Sequence, residues 1–161
     1  MSRRVLSILN LKDLEALRTK SELVTFSLDK DTIGLIDDLK KFTITQDGLG
    51  MSAVQLGVHK SLFVMRRSRY DKLTVVINPT IVSGTKPKVG PEGCFSISLA
   101  DRTAAMVKRM NSINVVYDNE NGERISSELL GLDAIVFQHE YDHCVGKLMI
   151  DPPNFTGWSK F

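Results

Sequence analysis

Apolar positions recur at helical spacing early in the chain and then give way to short alternating runs. Ile33, Leu35, Ile36, Leu39 and Phe42 lie close to one helical face and predict an amphipathic helix over residues 31–43, with Asp29 or Asp31 as its cap. A shorter amphipathic segment predicts a first helix over 11–23. Asp47-Gly48-Leu49-Gly50 reads as a turn-rich loop. Strands are then expected over 61–66, 73–78, 80–83, around 94–97, 104–108 and 112–118. Asn119-Glu120-Asn121-Gly122 reads as a hairpin turn into a further strand over 123–127. The last strong element is an apolar helix over 130–144, with Gly146 as its stop and Pro152-Pro153 beyond. Helices, then strands, then a helix predict an α+β fold with a mostly antiparallel sheet packed around the late helix.

Length and composition narrow this reading. The 161 residues suit one core, and no repeat, low-complexity stretch or linker interrupts them, so a single domain over 1–161 is expected. A composition of 42% hydrophobic and 25% charged residues is that of a globular protein. The net charge of +2 is too small to argue for nucleic acid, and the Lys and Arg residues read as a solvated surface. Met1-Ser2-Arg3-Arg4-Val5 is basic but lacks the apolar stretch of a signal peptide. No run reaches the ~18 apolar residues of a membrane span. A soluble compartment is expected, bacterial or phage-infected cytoplasm or an organellar matrix. The two cysteines, Cys94 and Cys144, could pair, but in such a reducing compartment free or metal-bound thiols are expected.

Only three histidines occur, and two of them, His139 and His143, bracket His139-Glu140-Tyr141-Asp142-His143 on the late helix. At about 100° per residue they stand one turn apart on one face and can reach one metal ion, with Glu140 at the edge of that face. A helix that merely carries two histidines is the plainer alternative. Against it, Ala134-Ile135-Val136-Phe137 implies burial on most sides, and buried imidazoles and carboxylates need partners. A hydrolytic metal needs a third ligand and an open position. Downstream, Gly146 fits one peptidase pattern, but Met149 stands where that pattern has its next His. The third ligand therefore comes from upstream or is Asp151. Cys144 points about 100° off the metal face and reads as a core residue. Cys94 is the better candidate, giving a Cys-His-His set suited to Fe(II), Zn, Co or Ni. The competing reading of Cys94 is a buried apolar cysteine.

Three segments together resemble the peptide deformylase family. Gly48-Leu49-Gly50-Met51-Ser52-Ala53-Val54-Gln55 is similar to its Gly-x-Gly-x-Ala-Ala-x-Gln motif. Glu92-Gly93-Cys94-Phe95-Ser96 is similar to Glu-Gly-Cys-x-Ser. Gln138-His139-Glu140-Tyr141-Asp142-His143, with Gly146, Leu148 and Asp151, is similar to Gln-His-Glu-x-Asp-His and its tail. The resemblance spans roughly residues 5–151 and implies hydrolysis of the N-formyl group of N-formylmethionyl peptides, releasing formate. It implies Cys94, His139 and His143 as ligands of one divalent ion, Fe(II) in many members and zinc in others. A metal-activated water would attack the formyl carbon, with Glu140 as base and then acid. Gln55 and the backbone N–H of Phe95 would bind the oxyanion, and Gly50 and Gly93 would let substrate backbone approach. Leu49, Phe95, Leu132, Ile135 and Val136 are candidates for the methionine slot and equally good core residues. Asp142 reads as supporting the site rather than as a ligand. Arg102 lies where relatives keep a substrate-facing Arg, one residue out of step.

The departures are specific. Ser52 stands where the family usually has Ala, adding a hydroxyl that needs a partner if buried. Phe95 replaces the commoner Leu and narrows the expected pocket. Many bacterial relatives carry a long basic C-terminal helix that docks on the ribosome. Here the tail after Asp151 holds two prolines, a glycine and one cation, which makes such a helix unfavourable and leaves ribosome association in doubt. A monomer is expected. Three other readings compete: a metallopeptidase, a family member that binds N-termini without turnover, and a structural zinc domain. The last would need a fourth ligand, from His59 or Cys144.

Overall fold

The computed structural model describes residues 3–68, 72–99 and 102–161; Met1 and Ser2 of the basic N-terminus lie outside the described residues. Helix α1 covers Leu11–Leu17, with the Asn10 side chain accepting from the backbone N–H groups of Lys12 and Asp13. It is shorter than the 11–23 expected. After Leu17 the chain turns outward into tertiary hydrogen bonds: Ser21 N–H donates to Cys144 O, and Ser61 N–H donates to Glu22 O. Those bonds outweigh local helix propensity, and Leu23 is left exposed. Helix α2 covers Lys30–Thr45 and begins as the sequence suggests, the Asp29 carboxylate accepting from Thr32 N–H. Its buried stripe of Leu35, Ile36 and Leu39 packs with Met51, Leu62, Val64, Val75 and Ile77. Each such side chain contributes about 1.5–3 kcal/mol of burial.

Strand β1 (Gly50–Ser52) leads into a 3-10 turn over Ala53–Leu56, closed by Gly57 at φ 80°. Strands β2 (Leu62–Met65), β3 (Thr74–Glu92), β4 (Thr103–Asp118) and β5 (Arg124–Leu130) complete an antiparallel run in chain order. The separate strands expected over 73–78 and 80–83 belong to one 19-residue strand, β3. Its register shifts near Asn78, which adopts φ 50° and clasps Val24 through both ends of its carboxamide. The expected break is thus a bulge that bends the strand without ending it. The 104–108 and 112–118 segments likewise merge into β4. Strand β4 pairs with β3 on one side; its other side is shared by β5 and by β6 (Phe155–Lys160). The sequence reading contained no β6. Residues 94–97 form a turn, Ile97 N–H donating to Cys94 O, where a strand was expected.

Helix α3 (Gly131–Cys144) lies against this sheet and is buried nearly all round. Phe137 meets Phe63 edge-on at 5.2 Å between ring centroids. The Gln138 carboxamide reads the backbone of Met110 in both directions, accepting its N–H at 2.9 Å and donating to its O at 2.7 Å. Gly146 stops the helix at φ 77°. The fold is the α+β arrangement expected, an antiparallel curled sheet around the late helix.

Candidate active site

His139 and His143 project from one face of α3, ring centroids 5.1 Å apart. The turn that follows β3 brings Cys94 against them, its Sγ 3.4 Å from His143 Nε2. One ligand atom from each of Cys94, His139 and His143 lies within 4.8 Å of the others. His139 Nδ1 is engaged by Glu92 Oε1 at 2.8 Å, which leaves Nε2 as the nitrogen available to a metal. A carboxylate behind a ligand imidazole fixes its tautomer and ring plane. Glu92 is in turn gripped by Arg109 through Nε and Nη2 at 2.8 and 3.0 Å, and Arg109 Nη1 reaches Asp142 at 2.5 Å.

The electrostatics follow from burial and charge. Burial disfavours the Glu92 carboxylate, but hydrogen bonds from His139 and Arg109 prevail and hold its pKa at about 2. Burial, then the charges of His139 and Arg109, push His143 well below its ordinary value, so it stays in the neutral ligand form. Burial opposes charge on His139, yet hydrogen bonds to Cys94 and Glu92 raise it. Burial pushes the Cys144 thiol up to about 12, in keeping with a core residue.

Glu140 is 3% exposed, and burial raises its pKa against the opposing effects of His139 and Ser52. The Ser52 hydroxyl lies 2.7 Å from Glu140 Oε2, so the added oxygen has its partner. Ser52 N–H donates to Gln55 Oε1 at 3.0 Å, and Gln55 Nε2 donates to Ser96 Oγ at 3.1 Å and lies 3.5 Å from Cys94 Sγ.

A cleft of about 390 Å³ opens over this cluster. Leu49, Gly50, Gly93, Phe95, Leu132, Ile135 and Val136 all line it, together with Gln55, Cys94, His139 and Glu140. His143 sits beneath, 1% exposed. Leu49, Phe95 and Leu132 stay partly open to solvent despite their size, which suits an apolar ligand. Two glycines have packing reasons of their own. A Cβ on Gly48 would fall 2.5 Å from the Phe95 ring, and one on Gly50 would fall 2.8 Å from Glu140 Oε1.

Other residues named from the sequence stand apart. Arg102 is exposed at φ 58° and does not line the cleft. His59 Nε2 contacts Ala16 O, and Asp151 pairs with Arg18, so neither joins the cluster. Asp142 supports the site through Arg109. Sequence reasoning missed Arg109, Ser96 and the bracing role of Glu92. Arg109 had a readable signal: it shares the inward parity of β4 with Ala105, Val107, Ile113 and Val115, where a cation needs a buried partner.

Known proteins resemble this chain in sequence and fold. The family model described as polypeptide deformylase matches residues 5–156. A peptide deformylase of Pseudothermotoga lettingae is 39% identical over 136 residues, covering 84% of this chain and 75% of its own. A peptide deformylase of Vibrio vulnificus is 38% identical over 149 residues, covering 91% of this chain and 85% of its own. The crystal structure of the Thermotoga maritima peptide deformylase superposes with a TM-score of 0.84 at 30% identity, covering 98% of this chain and 99% of that one.

Proposed function

The chain belongs to the peptide deformylase family, metal-dependent hydrolases that remove the N-formyl group from nascent peptides, and from that premise we propose how its own residues do so. The observation that carries the reading is the convergence of Cys94, His139 and His143 beside Glu140 and Gln55 at the floor of one cleft. A thiolate and two imidazoles, one braced by Glu92, suit a divalent ion, with Fe(II) as the native metal and Zn, Ni or Co as substitutes. When bound, such an ion brings the pKa of water toward neutrality and polarises the formyl oxygen.

Glu140 takes a proton from the attacking water and returns it to the departing amine nitrogen. Its burial favours the protonated form that this second transfer requires. Gln55 Nε2 and the backbone N–H of Phe95 donate to the oxyanion; loss of one such donor costs about 100- to 1000-fold in rate. Leu49, Phe95, Leu132, Ile135 and Val136 hold the methionine side chain, while Gly50 and Gly93 leave room for the peptide backbone. All seven residues line the cleft. The whole chain acts as one catalytic domain, as a monomer, in the cytoplasm or an organellar matrix. No described helix is long and apolar enough to cross a membrane. Residues Phe155–Lys160 pair as β6, and we infer no ribosome-docking helix in that segment.

The test is formate release from an N-formylmethionyl tripeptide by protein purified anaerobically with Fe(II). Rapid release is expected, with Glu140→Ala keeping the metal and losing turnover. A metal-loaded protein that releases none would make the chain a binder of N-termini without turnover. Cleavage of internal peptide bonds would make it a metallopeptidase.

A further inference from the structure

Ser52 touches two polar side chains of the cleft, Glu140 and Gln55. It is fully buried, at 0% exposure. Its Oγ lies 2.7 Å from Glu140 Oε2 and 3.0 Å from the Glu140 backbone O. A hydroxyl has one proton to give, and the shorter contact, to the group that carries charge, is the stronger acceptor. Its backbone N–H is 3.0 Å from Gln55 Oε1. That bond settles which way the Gln55 carboxamide points: the oxygen must face the Ser52 donor, so Nε2 faces Ser96 and the cleft. Ser52 also begins the 3-10 turn that carries Gln55.

We propose that Ser52 is a positioning residue that fixes the Glu140 carboxyl group and the Gln55 carboxamide relative to each other. This rests on the reading of Glu140 as the base. Successive side chains of a strand point to opposite faces, so positions 50 and 52 of β1 share a face. Gly50 meets Glu140 Oε1 with no side chain of its own, and Ser52 meets Oε2. Ser52 thereby holds one oxygen of the carboxyl group, while Gly50, lacking a Cβ, leaves room at the other. The terminal torsion of a glutamate is broad and does not hold the group unaided. With Oε2 committed to Ser52, Oε1 is the oxygen that exchanges protons with water. Ser52 stands where the family motif usually has Ala, so Ser52→Ala removes one oxygen and leaves a residue the motif accepts.

The experiment compares Ser52→Ala in two backgrounds, the natural chain and Glu140→Asp, whose shorter carboxylate cannot reach the Ser52 hydroxyl. In the natural background, kcat should fall about tenfold with KM unchanged, the scale of one hydrogen bond to a charged group. Metal content and melting temperature should hold. In Glu140→Asp, Ser52→Ala should change kcat less than about twofold, because the coupled partner is already lost. Equal losses in both backgrounds, an unchanged kcat, or loss of metal or fold in Ser52→Ala would each overturn the proposal. Full activity in Glu140→Ala would instead overturn the base assignment on which it rests.

Discussion

At the scale of single residues, the site is braced by a cation that does not line the cleft. Arg109 has a side chain 3% exposed and pairs with both Glu92 and Asp142. Removing one partner of a buried ion pair leaves the other charge unpaired, which costs about 3–5 kcal/mol. Arg109→Met should therefore lower the unfolding free energy by that amount, read as a fall in the urea midpoint at unchanged slope. Glu92→Gln tests the same network through pH. The Glu92 pKa falls from its usual 4.5 to about 2 in the folded chain. A depressed carboxylate contributes fully above its unfolded value, and the contribution drains away as the pH falls from 4.5 toward 2. Denaturation of Glu92→Gln should show a flatter acid limb than the natural chain; identical limbs would refute the linkage. The cysteines give a third test. Cys144 is buried with its pKa pushed up to about 12, so it should resist alkylation in the folded protein, whereas Cys94 should react and be shielded by bound metal. Peptide mapping by mass spectrometry reads both sites. The candidate ligands were legible because they are scarce: three histidines and two cysteines leave few combinations. The partner of Ser52 was not, since its contact to Glu140 joins positions 88 residues apart.

At the scale of elements, helix starts and the Gly146 stop of α3 were legible, whereas the end of α1 was not. Asp29 announces α2 by its own chemistry, a side-chain oxygen facing an unpaired N–H. The end of α1 depends on Ser21 meeting the last turn of α3, information held by distant residues. Strands split at Asn78-Pro79 on local turn chemistry because a bulge and a turn use the same residues. Strand β6 escaped notice because its alternation is short and follows two prolines; it forms as β4 offers a free edge beyond β5. One junction is legible in both views. Gly146 ends α3 at φ 77°, and a Cβ there would fall 2.3 Å from the carbonyl oxygen of Arg18. The conformation alone costs a non-glycine residue on the order of 1–3 kcal/mol, and the clash adds to it. Gly146→Ala should thus lose at least about 2 kcal/mol by chemical denaturation. A loss under half that would mean the α1–α3 junction yields freely.

For the whole molecule, the Cys-His-His cluster joins the turn beyond β3 to α3, beside the Glu92–His139 hydrogen bond that already ties the two. Cys94 lies in the turn beyond β3, while His139 and His143 lie on α3, 45 and 49 positions later, numbers that follow from their places in the chain. An ion held by all three closes that loop in the folded state and has no preformed site in the unfolded one, so its binding energy adds to folding. At a free metal concentration about 1000 times the dissociation constant, the gain is about 4 kcal/mol. For a chain of this length that corresponds to roughly 10 °C in melting temperature. Chelation should lower the melting temperature by this order, readdition of Fe(II) or Zn should restore it, and Cys94→Ser should blunt the response. One cooperative transition in both states would accord with a single domain, because the core under α2 and the core around α3 are built on the same strands, β2 and β3. If the natural chain melts at the same temperature with and without metal, the three side chains are not the ligands and the hydrolytic reading loses its centre. If the shift appears in the natural chain and persists undiminished in Cys94→Ser, the two histidines bind the ion with a different third donor.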